Sequence, residues 1–122
     1  NQIKYSLFDH EFADGIIPYC EERGISVLAY SSLEHGEFQK EMRGNQDLAE
    51  AMSAVCAQVG KTPAQVLLNW TLRSPAVVTI PKTNTMIRVD ENCAAAGWRL
   101  SDEQWLALTT AAGETKSSYW WR

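Results

Sequence analysis

Apolar residues along this chain follow two rhythms. Short, nearly continuous runs rich in β-branched residues, Ile25–Tyr30 and Val77–Ile80, read as strands. Longer stretches repeat apolar residues every three or four positions and read as helices that turn one face to a core. Asn1–Tyr5 reads as the end of a strand whose start is cut off. A helix is expected from about Phe12 to Arg23, with Ile16, Ile17 and Cys20 inward and Gly24 closing it. Pro18 lies inside that pattern, so the helix either begins there or is kinked. The unbroken run Ile25–Tyr30 predicts a strand covered on both faces.

Ser31–Asn45 is polar and predicts a loop of about fifteen residues, a length that is commonly functional. Gln46–Val59 is helical by the spacing of Leu48, Met52, Val55 and Val59, and Gly60 ends it. Thr62-Pro63-Ala64-Gln65 is a capping box with proline at the first helical position. The helix it opens carries Val66, Leu67, Trp70 and Leu72 to about Arg73. Ser101-Asp102-Glu103-Gln104 is a second capping box, opening a last helix to about Ala111. The tail Gly113–Arg122, with Trp120-Trp121, has no usable period. The order β-α-β-α-α-β-α-α with short connections predicts an α/β fold of parallel strands with helices packed outside them.

The 122 residues suit one domain, 1–122, and an apolar share of 45% with 21% charged residues places it among globular proteins. No stretch approaches the ~20 apolar residues that span a membrane. The net charge of −4 argues against nucleic-acid binding, which asks for a basic face. Cys20, Cys56 and Cys93 are odd in number and far apart; they read as small core residues in a reducing cytoplasm. There is no Gly-x-Gly-x-x-Gly and no Walker loop.

The candidate chemistry gathers after the last strand. Pro81 cannot donate to a sheet ladder, so that strand finishes there and Lys82 stands at its exit. Thr83-Asn84-Thr85 suit a helix cap, and from Met86 a helix follows with Met86, Val89, Cys93 and Ala96 as its apolar stripe, closed by Gly97. Arg88, Glu91 and Asn92 share a different face, expected beside Lys82. A helix N-terminus with a lysine and an arginine beside it is suited to a phosphate. On spacing alone these would be ordinary solvated charges.

Three stretches, in order, resemble the aldo/keto reductase family: Asn1-Gln2-Ile3-Lys4-Tyr5, Gly24–Leu33, and Ile80-Pro81-Lys82-Thr83 followed by Arg88 and Glu91-Asn92. Thr62–Leu72 and Asn92–Leu100 are also similar to it, so the resemblance runs to about residue 111 and leans towards bacterial reductases of small carbonyls. It implies a partial (β/α)8 TIM barrel, the last three β/α units with an additional C-terminal helix. It implies NADPH as cofactor: Gln2 on the nicotinamide carboxamide, Tyr30 stacked on the ring, and Ser31 and Leu33 along the pyrophosphate. Lys82, Thr83 and Arg88 would hold the 2′-phosphate, with Glu91 and Asn92 at the adenosine end. The family usually has proline where this chain has Ser32.

The resemblance places the catalytic Asp, Tyr, Lys and His in the first half of the barrel, outside this chain; His10 and His35 do not match that His. A whole barrel takes about 250 residues. The expected partners are therefore the missing N-terminal half and a small carbonyl substrate of the parent enzyme. The chain alone is expected to be inactive and, with open strand edges, marginally stable or oligomeric. The alternative is a non-catalytic partial barrel that binds a nucleotide or associates with a partner.

Overall fold

Three strands, β1 (Gln2–Lys4), β2 (Val27–Tyr30) and β3 (Val77–Thr79), pair in parallel and lie side by side in chain order. The computed structural model describes residues 1–11 and 13–113. Phe12, the expected start of the first helix, and the tail with Trp120-Trp121 lie outside the described residues. One helix, α1 (Ala13–Glu22), links β1 to β2. Three, α2 (Phe38–Arg43), α3 (Gln46–Val59) and α4 (Pro63–Thr71), link β2 to β3, and α5 (Met86–Cys93) and α6 (Asp102–Ala112) follow. The fold is α/β, a parallel sheet with helices.

The ends of the elements follow local chemistry. Helix α1 runs through Pro18 and closes at Gly24, whose φ of 64° lets Ile25 N–H reach Cys20 O at 2.8 Å. Thr62 and Ser101 each complete a capping box with the glutamine three residues on. Asn45 caps α3 through Leu48 N–H, and its amide also donates to Ala111 O at 2.8 Å, tying α3 to the end of α6. Part of the expected loop 31–45 is helical instead. Phe38 buries its ring in the core and Met42 packs against it one turn later, so a short apolar face suffices to fold α2.

Strand register sorts the sheet into two faces. Val27, Ala29 and Val77 turn towards the helices and are buried, with Ile3 and Thr79 alongside. Gln2, Lys4, Leu28, Tyr30 and Val78 share the other face, where Leu28 is 39% and Val78 49% exposed. The strands are thus covered on one face only, against the expectation drawn from the unbroken run Ile25–Tyr30. Continuity of apolar residues shows that both faces can be buried, and only the tertiary structure shows which one is.

Helix α4 is the centre of the packing. Ala64 and Val66 to Thr71 are all buried, so it is enclosed nearly all round. Trp70 stacks on Trp105 at 5.4 Å, meets Tyr5 at 5.2 Å and His10 at 5.4 Å, and donates from Nε1 to Thr109 Oγ1 at 2.9 Å. The Tyr5 phenol beside it is raised well above its ordinary value by burial, with Asp14 adding and Arg73 opposing.

Buried Asn69 is a polar pin in this core. Its amide donates to Ala95 O (2.9 Å) and Trp98 O (2.8 Å), and its Oδ1 accepts from Leu100 N–H (3.0 Å). Asn69→Ala leaves three backbone groups without their partner. Each group left buried and unpaired costs about 1–3 kcal/mol, so urea unfolding should show a loss of at least that size. An unchanged midpoint would mean that water replaces the amide.

Candidate functional site

The open face of the sheet and the exits of its strands bring several of the expected residues to one region. Gln2 and Tyr30 lie on the same face, with Lys4 paired beside Tyr30 and Leu28 beside Gln2. Ser31 follows directly, with φ at 56°, a left-handed conformation unusual for serine. Ser32 is buried: its hydroxyl donates to Ala29 O at 3.2 Å and accepts from Thr79 Oγ1 at 2.6 Å. Leu33 packs against the core.

The second group lies after β3. Lys82 is exposed, and Thr83 Oγ1 accepts from Thr85 N–H at 3.3 Å. Thr85 takes the N-cap position of α5 with extended backbone, and no side chain caps that helix. The first-turn N–H groups of α5 therefore have no capping side chain among the described residues. Arg88 is exposed in the same helix, and among the described residues neither Lys82 nor Arg88 has an ion-pair partner.

Helix α5 differs from expectation in its cap, its apolar stripe and its polar face. Its supposed apolar stripe is not buried: Met86 is 85% and Val89 46% exposed, and Cys93 and Ala96 are exposed too. The reading of Cys93 as a core residue is overturned with it. Cys20 is buried and Cys56 half-buried, its thiol raised by burial. What holds α5 is a polar stripe on α4 and its cap. Thr62 Oγ1 donates to Glu91 Oε1 (2.8 Å), Gln65 Nε2 donates to Glu91 O (3.1 Å), and Asn69 grips the turn beyond. Residues 62, 65 and 69 fall at helical spacing, so they share one face. Glu91 is thus turned to α4 while Arg88 stays in solvent, and the two do not act as one face. Asn92 is half-buried and its carbonyl accepts from Ala95 N–H.

Sequence reasoning missed a third group. Lys4 Nζ lies 3.1 Å from Asp9 Oδ2 and 3.2 Å from Glu34 Oε2, with all three side chains largely buried. Ser6 Oγ donates to Glu34 Oε1 at 2.6 Å and accepts from the N–H groups of Phe8 and Asp9. Burial pulls the Lys4 ammonium down, but its contacts with Asp9 and Glu34 outweigh that and raise it above the ordinary lysine value. A raised folded-state value means that this contribution is fully present below the ordinary 10.5 and is lost only as pH climbs through the higher folded value. Between neutrality and pH 10, urea midpoints should therefore show no loss from Lys4; a wild-type decline that Lys4→Met abolishes would contradict the direction. Period-two alternation does place Lys4 on the face of Gln2, and a half-buried lysine asks for carboxylates. Asp9 and Glu34 could not be picked out as those partners by spacing.

An open cavity of about 520 Å3 lies at the opposite, entry end of the strands, lined by Asn1, Gly15, Ile16, Tyr19, Cys20 and Ile25. None of the expected cofactor-binding residues lines it, and its lining is largely apolar. Tyr30, Ser31 and Lys82 stand instead at the strand exits. His10 is packed on Trp70 with Nδ1 3.1 Å from Leu7 O, and His35 Nε2 is 3.1 Å from Ser31 Oγ. Among the described residues no cluster suits a metal, and no helix is long and apolar enough to cross a membrane.

The molecule is an α/β protein with polar and cationic groups at the carboxyl ends of its parallel strands, the end at which such sheets bind ligands. The chain belongs to the aldo/keto reductase family: residues 1–112 match the model of that family. An uncharacterised oxidoreductase of Saccharomyces cerevisiae is 38% identical over 106 residues, which is 85% of this chain and 33% of that protein. The chloroplastic pyridoxal reductase of Arabidopsis thaliana is 30% identical over 117 residues, 81% of this chain and 32% of that protein. Among solved structures, the aldo/keto reductase from Klebsiella pneumoniae in complex with NADP and acetate superposes with a TM-score of 0.80 at 26% identity. That match covers 95% of this chain and 41% of the other. The chain thus spans about a third of the length of these curated relatives.

Proposed function

We propose that this chain is the NADPH-binding part of an aldo/keto reductase, formed by the last three β/α units of a (β/α)8 barrel. The observation that carries the reading is the uncapped start of α5 at the β3 exit, with Lys82 and Arg88 beside it and free of ion pairs among the described residues. Backbone N–H groups, a dipole end, a point charge and a planar guanidinium suit the 2′-phosphate. In such barrels the phosphate site is built by the loops after the last two strands and a helix N-terminus. Thr83 would add a hydroxyl there, and Glu91 and Asn92 stand at the adenosine end. For Glu91 the bond from Thr62 must first open or be shared.

At the other end Gln2 would bind the carboxamide and Tyr30 would carry the nicotinamide ring, with Ser31 and Leu33 along the pyrophosphate. The cofactor supplies hydride, which passes to the carbonyl carbon of a small aldehyde or ketone. This chain contributes binding and ring orientation; the acid that protonates the oxygen belongs to the first barrel half. That half is the partner we propose for the open sheet face, where Leu28, Val78 and Ile80 remain exposed. The alternative partial barrel that only binds a nucleotide or a partner shares the same cofactor face and differs in lacking turnover. A cytoplasmic setting accords with three free cysteines.

The reading is tested by titrating NADPH, followed by its fluorescence, into the chain and into a complete barrel that carries it. Saturable binding supports it, and no binding in either form overturns it. In the complete barrel Tyr30→Ala should lower both affinity and rate, by about tenfold or more in rate, because ring placement is sensitive to small displacements. Unchanged kinetics would make Tyr30 a packed aromatic and nothing more.

A further inference from the structure

The segment Ser31–Gly36 holds an unusual shape. Ser31, Glu34 and His35 have φ of 56°, 46° and 56°, so three non-glycine residues in five positions adopt left-handed backbone. Such residues persist only where surrounding contacts over-determine them. Here the contacts come largely from the exit of β1. Glu34 uses both carboxylate oxygens, one accepting from Ser6 Oγ at 2.6 Å and the other 3.2 Å from Lys4 Nζ. Lys4 is held in turn by Asp9, which is 3% exposed, and Asp9 N–H donates back to Ser6 Oγ at 3.1 Å. Inside the segment, Ser31 Oγ and His35 Nε2 lie 3.1 Å apart.

We infer that Lys4, Ser6 and Glu34 form a positioning anchor that holds the strained β2-exit loop in the shape that receives the cofactor's diphosphate. Lys4 stands one residue pair from the site, beside Tyr30 in the sheet, so the same side chain couples the strand that carries Gln2 to the loop that carries Ser31. The ammonium faces two carboxylates, so it is neutralised and not offered to a ligand. Its action runs through Glu34. Removing the charge from Glu34 takes away one of the two carboxylates within 3.2 Å of the ammonium and frees the loop to relax out of its left-handed positions.

This inference rests on the NADPH reading, and the test separates the two. Glu34→Gln keeps the size and the acceptor for Ser6 while removing the charge that Lys4 needs; Lys4→Met removes the same pair from the other side, and Lys4→Arg restores the charge. Hydrogen exchange of Ser31–Gly36 is followed in the chain and in the complete barrel that carries it, and NADPH and 2′-AMP are titrated against both. The mononucleotide carries the 2′-phosphate but no diphosphate, so it reads the Lys82 end alone. Expected are faster exchange confined to the loop and NADPH binding weakened about fivefold or more, within the usual range of coupling between sites. Binding of 2′-AMP should stay unchanged, and Lys4→Arg should restore NADPH affinity. A merely structural role would weaken both ligands together, and that result overturns the inference, as does unaltered loop exchange. Wild-type binding of NADPH that Glu34→Gln and Lys4→Met leave intact also overturns it. Absence of wild-type NADPH binding in both the chain and the complete barrel overturns the cofactor reading itself, and the anchor's role in that binding falls with it.

Discussion

Lys82→Met weakens NADPH binding roughly 10- to 150-fold and leaves NADH binding nearly unchanged. Hydrogen bonds to charged groups contribute about 1.5–3 kcal/mol, and each 1.4 kcal/mol is tenfold in affinity. Only NADPH carries the 2′-phosphate that Lys82 would meet, so the loss should discriminate between the cofactors. Lys82 is exposed and has no ion-pair partner among the described residues, so no internal contact is broken by removing it. Methionine keeps much of the stem and its packing. The measurement is a titration of both cofactors against wild type and variant. Equal weakening for both would make Lys82 structural, and no weakening for either would place the phosphate elsewhere. Arg88→Met should act in the same direction.

Trp70→Ala lowers stability by about 3–5 kcal/mol, the usual cost of emptying a large aromatic site. Trp70 is 1% exposed and joins α4 to Tyr5, His10 and Trp105. Truncation leaves a cavity at the junction of three segments and removes the indole N–H that Thr109 Oγ1 accepts, leaving that hydroxyl only its bond to Trp105 O. Against a total of about 5–15 kcal/mol for a native domain, that is a large share. Urea unfolding of wild type and variant measures it. Trp70→Phe should lie between them, since it keeps an aromatic surface and loses the hydrogen bond. A Trp70→Ala midpoint equal to wild type would mean that the three aromatic contacts contribute nothing net.

The element pattern was legible because it rests on local chemistry. The two capping boxes at Thr62 and Ser101, the stop at Gly24 and the helix Gln46–Val59 depend on residues within a few positions of one another. Parallel pairing followed from the alternation of strands and helices. The segment 31–45 was harder, because Phe38 and Met42 are a short signal in a polar stretch, and their burial depends on a core contributed by distant residues. The apolar stripe of α5 misled for the opposite reason. Met86, Val89 and Cys93 have helical spacing, but α5 rests on Thr62, Gln65 and Asn69 of α4 and its cap, and polar contacts can hold a helix whose apolar face stays in water.

At the candidate site, Gln2, Tyr30, Ser31, Lys82 and Arg88 were named through short contiguous motifs that resemble the family; spacing alone marked only Lys82 and Arg88, after β3 and at the start of α5, and left them as ordinary surface charges. The family membership that those motifs suggested is carried by residues 1–112. The Lys4–Asp9–Glu34 cluster could not be named, since Glu34 comes from another loop and joins Lys4 only when β1 and β2 pair. Sequence by itself determined the order of elements apart from α2, the two capping boxes and the family, because these depend on short-range chemistry and on motifs that stay contiguous. Tertiary structure alone decided which sheet face is covered, how α5 is held, and which carboxylates surround Lys4. Those depend on charges and surfaces that lie far apart along the chain and that only the paired strands bring within a few ångströms.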